Sequence, residues 1–88
     1  MAAGKPVDVI SVCMADGQIR PLRIRFQDEE FQQQRLEILE VMGKDEVIYP
    51  GAEAQIFLCR GTMDDRVWLV ELKYSIRSHS WSMQRRFY

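Results

Sequence analysis

The chain has no long hydrophobic run, no excess of charge of either sign, one histidine and only two cysteines, and each shortage removes a class of protein. No segment approaches the ~20 consecutive apolar residues of a membrane-spanning helix. The opening Met-Ala-Ala-Gly-Lys-Pro lacks the charged region and apolar core of a secretory leader. A cytoplasmic protein with no membrane association is expected. A formal net charge of −1 makes no field that would by itself draw the chain to nucleic acid. Cys13 and Cys59 lie in separate apolar runs, with no Cys-x-x-Cys and no His-x-x-x-His, so neither a disulfide nor a structural zinc site is expected. Both thiols read as small buried hydrophobes, and His79 has no activated cysteine to serve as base for, because an apolar setting keeps a thiol protonated. Glycine-rich phosphate loops and nucleophile elbows are absent. Asp28-Glu29-Glu30 reads as a solvated connection and Asp64-Asp65 as a tight turn. No catalytic residue, metal or cofactor is expected.

What is present is an ordinary globular composition in 88 residues: 47% apolar, 28% charged, enough for one small domain. A chain this short buries only about 60 to 65% of the surface it exposes when unfolded, so association into a homodimer would be one way to support it. The clearest element is Val67–Tyr74, where Trp68, Val70, Leu72 and Tyr74 alternate with Val67, Leu69, Glu71 and Lys73. At a period of two this is a half-buried strand, and the rest of the chain is read by what it can pair with or pack on it.

Residues 1–6 carry no pattern and read as an arm, leaving 7–88 as the domain. Residues 7–14 form a strand, residues 15–17 a hairpin turn with Gly17 supplying positive φ, and residues 18–26 the second strand. There Leu22, Ile24 and Phe26 are expected inward and Arg23 and Arg25 outward. Pro21 cannot donate to a ladder, so the strand should be at an edge or bulged at that point. Residues 28–43 fit two readings. Asp28 as a cap, Phe31, Arg35, Ile38 and Met42 at helical spacing, and Gly43 as a stop describe a helix. The alternation of Leu36 and Ile38 with Arg35 and Glu37, with a bulge between Leu39 and Met42, describes a strand. Residues 44–53 read as a loop with a turn at Pro50-Gly51, 54–60 as a strand, 61–65 as a turn, 66–76 as its partner, 77–80 as a polar corner, and 81–88 as a last strand.

Gly17-Gln18-Ile19-Arg20-Pro21-Leu22-Arg23-Ile24-Arg25-Phe26, together with Glu71-Leu72-Lys73-Tyr74 and Trp81 near the end, resembles short uncharacterised all-β proteins of Gram-positive bacteria. The resemblance implies a bacterial protein and a strand rather than a helix at 32–42. It carries no assigned activity and no site residues. The expected fold is therefore all-β: a small, partly open antiparallel barrel of five or six strands, SH3-like or related.

Two functions fit such a barrel. In the first, a noncatalytic protein-interaction or accessory module, an open edge such as that of the Pro21 strand takes a strand from a partner protein, helped by exposed aromatic residues. Trp68, Tyr74, Phe26, Phe57 and Trp81 are otherwise the core. In the second, a nucleic-acid-binding barrel, Arg20, Arg23 and Arg25 of the second strand join Arg85, Arg86, Phe87 and Tyr88 of the last, combining phosphate contacts with stacking rings. That array requires the two strands to be neighbours. Otherwise the arginines pair with carboxylates such as Glu37, Glu40 or Glu71 across the sheet.

Overall fold

A computed structural model describes residues 4–87, with side chains through Arg86. Among these residues six strands follow one another: β1 (Lys5–Cys13), β2 (Ile19–Gln27), β3 (Gln33–Val47), β4 (Ala54–Met63), β5 (Arg66–Ser75) and β6 (Ser80–Phe87). Each pairs antiparallel with the next, and β6 returns to β1. The small all-β barrel is thus present, closed rather than partly open. The closing seam consists of three pairs, Lys5 with Met83, Pro6 with Ser82 and Val7 with Trp81. Lys5 and Pro6, patternless in sequence, belong to β1 rather than to an arm. Among the described residues no helix is long and apolar enough to cross a membrane.

The core forms where alternation is clean. Trp68, Val70 and Leu72 point inward from β5 onto Phe57 and Cys59 of β4, Leu36 of β3, Ile24 and Phe26 of β2, Val7 and Met83. At 33–47 strand wins over a composition of good helix formers. Leu36 and the half-buried Ile38 face this core, and the strand finds ladder partners on β2 for its first part and β4 for the remainder. Packing of this kind outweighs helix propensities of a few tenths of a kcal/mol per residue. Residues 44–47, read as loop, continue the strand opposite Ala54–Phe57. Gly61 to Met63, read as turn, belong to β4. The turn itself is Asp64-Asp65, both at positive φ as a two-residue hairpin loop requires.

Irregular register explains the remaining departures. Ser11 pairs with Pro21 and Ile10 with Arg23, so Leu22 is an extra residue on β2. The bulge absorbs the proline, but it also turns Leu22 outward, and Pro21 is buried instead. Arg23 and Arg25 do lie on the outer face, opposite Ile24 and Phe26. Leu39 and Met42 are likewise skipped in the β3–β4 ladder, and both are exposed. Cys59 is fully buried, and desolvation pushes its thiol up to about 11. Cys13, expected to be buried, is exposed near the end of β1; both thiols are free.

Candidate interaction edge and arginine face

The ladder leaves part of the sheet without a second neighbour. β1 meets β6 only from Lys5 to Val7, so among the described residues Asp8–Cys13 is paired on the β2 side alone. Other stretches are open in the same way among the described residues, the longest being Ile38–Val47 on the side away from β4, with Ile19–Leu22 on the side away from β1 and Gln33–Leu36, which carries Arg35, on the side away from β2; Arg66–Trp68 and Arg85–Phe87 are shorter. An open edge invites another strand, and proteins blunt it with charge, proline or bulges. The β2 stretch carries Arg20, Pro21 and the Leu22 bulge. The longer β3 stretch carries two bulges and the charges Glu40, Lys44, Asp45 and Glu46. The β1 stretch, Val9-Ile10-Ser11-Val12-Cys13, has neither charge nor proline, and at the register shift between Ile10 and Ser11 the extra residue lies on β2. Ile10 (56% exposed), Val12 and Met14 stand out on its outer side. The edge expected on the Pro21 strand is therefore the short, blunted one, and the unguarded edge is its neighbour.

The arginine array does not assemble. β1 lies between β2 and β6, so the arginines of those strands form separate groups. On the β2 side, Arg25 donates to Asp8 through Nη2 at 2.7 Å and Nε at 3.2 Å, and Arg23 pairs with Glu37. Arg20 stands opposite Val12 and makes no ion pair among the described residues. On the β6 side, Arg85 lies 3.6 Å from Glu71, and the Arg86 guanidinium sits 4.8 Å from the centre of the Trp68 ring. Phe87 continues β6 opposite Leu69. Tyr88 lies outside the described residues. The expectation of carboxylate pairing across the sheet describes Arg23 and Arg85, and Glu40 pairs with Arg60 at 3.3 Å.

Two participants escaped the sequence reading. Arg35 of β3 stands directly opposite Arg25 and has no carboxylate partner among the described residues, and Asp8 anchors Arg25 from the other side. Arg23, Arg25 and Arg35, with Asp8, Val9 and Ile10, line a shallow groove of about 400 Å³. Only the register reveals the pairing of two arginines. Like charges directly opposite are unfavourable, so Arg35→Glu is expected to stabilise the fold by about 0.2 to 1 kcal/mol, read as a higher urea midpoint.

The connection between β2 and β3 is more ordered than a solvated link. The Asp28 carboxylate accepts from the backbone N–H groups of Glu30 and Gln32 and from the Gln34 side-chain amide, each at 2.9 Å. Phe31 N–H donates to the Asp28 carbonyl, and Phe31 is held at φ 62 with 80% of its surface exposed. These bonds, first the one from the Gln32 backbone, hold the Asp28 carboxyl below its ordinary value. A depressed folded-state pKa contributes stability above the unfolded value and loses it as pH falls through the folded one. Asp28→Asn, which keeps an acceptor but does not titrate, should therefore flatten the fall of melting temperature below about pH 4.

His79 occupies the β5–β6 corner at φ 53, with Nδ1 2.9 Å from the Tyr74 hydroxyl. Among the described residues no three His, Cys, Asp or Glu side chains gather as a metal site would require. The chain matches no family model, no curated protein and no solved structure.

Proposed function

We propose that the protein is a noncatalytic interaction module of the cytoplasm that takes an extended polypeptide segment on the open edge of β1. One observation carries the reading. Among the described residues, of the open stretches four residues long or more, Asp8–Cys13 alone carries no charge beyond its first residue and no proline, and the bulge in its ladder places the extra residue on β2. Backbone donors and acceptors along such an edge supply affinity, and Ile10 and Val12 on the outer side supply contact for alternate residues of the added strand.

A displayed library of short extended peptides, panned against the protein, tests this. Selected peptides should slow amide exchange at residues 8–13 and leave 38–47 unchanged. Peptides that protect other residues, or a library that yields none, would overturn it.

A second reading, binding of a polyanion such as single-stranded nucleic acid, draws on the groove between Arg23, Arg25 and Arg35. Asp8 and Glu37 neutralise two of those charges, which places it second. It requires oligonucleotide affinity that falls steeply with salt and disappears in the Arg23→Glu, Arg25→Glu double variant.

A further inference from the structure

We infer that the segment this edge takes is the same edge of a second copy, the two β1 strands running antiparallel about a two-fold axis at Ser11. The inference rests on reading β1 as the docking edge, and it adds the partner and the register. Val7 is already engaged by Trp81, and the Met14 N–H and carbonyl are bonded to Gln18 and Gly17 within the turn, so the backbone free for a new strand is Asp8–Cys13. The axis is placed at Ser11 by the side chains of that stretch. A strand paired with its own copy about one residue brings every position against its mirror position, and the interface is isologous.

The side chains suit this register. On the outer side Ile10 meets the partner's Val12 and Val12 meets the partner's Ile10, a block of four aliphatic groups. On the inner side Val9 meets the partner's Cys13 across the Ser11 pair. Each aliphatic block is flanked by Arg23 and Arg20 on the β2 strands, the ladder neighbours of Ile10 and Val12, so no two arginines are brought into direct opposition. Asp8, the only charge on the edge, meets the partner's Met14. Shifting the axis by one residue to Ile10 would put Val12 against Asp8 and Cys13 against Val7, which is already paired. The Ser11 register keeps apolar groups together and uses only free backbone. It also accounts for the exposure of Ile10, Val12 and Met14, a row of apolar groups without cover among the described residues.

Sedimentation of the wild-type chain across a wide concentration range should show a reversible monomer–dimer equilibrium. In a Cys13→Ser background, Ser11→Cys should form a disulfide-linked dimer under mild oxidation. Directly opposed strand residues have Cα separations of about 4.5 to 5.5 Å, within the range a disulfide bridges. Ser78→Cys, on the β5–β6 corner, should not cross-link. The Ile10→Lys, Val12→Lys double variant places lysines against lysines across the axis, so its dissociation constant should rise by at least about tenfold. Both positions are exposed, so its far-UV spectrum should stay that of wild type.

Three results would overturn the inference: a wild-type chain that stays monomeric, a dimer indifferent to the two lysines, or cross-linking at Ser78 as efficient as at Ser11. A monomeric chain that still captures extended peptides on residues 8–13 would refute the self-pairing and leave the docking edge standing. Loss of both would refute the edge itself.

Discussion

Trp68→Ala is expected to cost about 3 to 5 kcal/mol, the range for removing a large aromatic group from a core. A chain of 88 residues has a total margin of only about 4 to 13 kcal/mol at the usual stability per residue, so the variant should be largely unfolded or melt far below wild type. The indole is 8% exposed and packs within the main cluster. Its Nε1–H donates to the Met63 carbonyl at 3.2 Å, just before the Asp64-Asp65 turn, so the substitution also removes a bond that fixes the start of the hairpin. Arg86 loses the ring beneath it. Thermal melting followed by near-UV circular dichroism would show the effect, and a cooperative transition within a few degrees of wild type would refute it.

Gly61→Ala is the second large effect expected, about 2 to 3 kcal/mol, although it adds only a methyl group. A Cβ at this position would collide with Leu36 Cδ2 and lie 2.7 Å from the Glu37 carbonyl oxygen. Leu36 is fully buried and the carbonyl belongs to the neighbouring strand, so neither can withdraw without disturbing the ladder. Overpacking of a closed core falls in this range. The paired control is Gly43→Ala, whose nearest neighbour would be Leu58 Cβ at 3.9 Å. There the same change should be neutral or stabilising, because alanine loses less chain entropy on folding. Urea denaturation of the two variants should separate them clearly.

Gly61 also illustrates where sequence reasoning runs out. Followed by Thr, Met, Asp and Asp it has the look of a turn, and its reason for being glycine is a close approach of β3 that no local pattern records. By contrast, Val67–Tyr74 was legible as a strand because its inward residues recur at every second position without a break. Ile24 and Phe26 were legible for the same reason; Leu36 and Ile38 alternate too, but a helix fitted residues 28–43 as well, and only the resemblance favoured a strand there. Legibility failed at Leu22, an extra residue in its ladder that was expected inward, whereas the bulge expected between Leu39 and Met42 is there, with both residues skipped. A bulge leaves the composition unchanged and reverses the face of whatever sits on it, so an aliphatic residue there reads as core and stands in solvent.

The candidate site was harder to see than the fold. Arginines at 20, 23 and 25 were visible as an outward row, but neither the Arg35 opposite Arg25 nor the strand dividing them from Arg85 and Arg86 follows from spacing. Those are facts of strand order and register. The open edge of β1 depends on where β6 stops pairing, which is set by the corner at 76–79 rather than by anything in β1.

The seam between β1 and β6 has a consequence for how the molecule breathes. Its three pairs hold together residues nearly the whole chain apart, while the other interfaces run from five pairs to ten and join strands that are consecutive along the chain. The barrel is in effect a meander of hairpins fastened by a small clasp. Each hairpin closes a short loop and forms early; the clasp must bring Lys5 to Met83 and closes last. It is also the cheapest part to release. Undone, it leaves a curled six-stranded sheet with Val7 and Met83 uncovered and the rest of the core intact, a sub-global opening well short of unfolding.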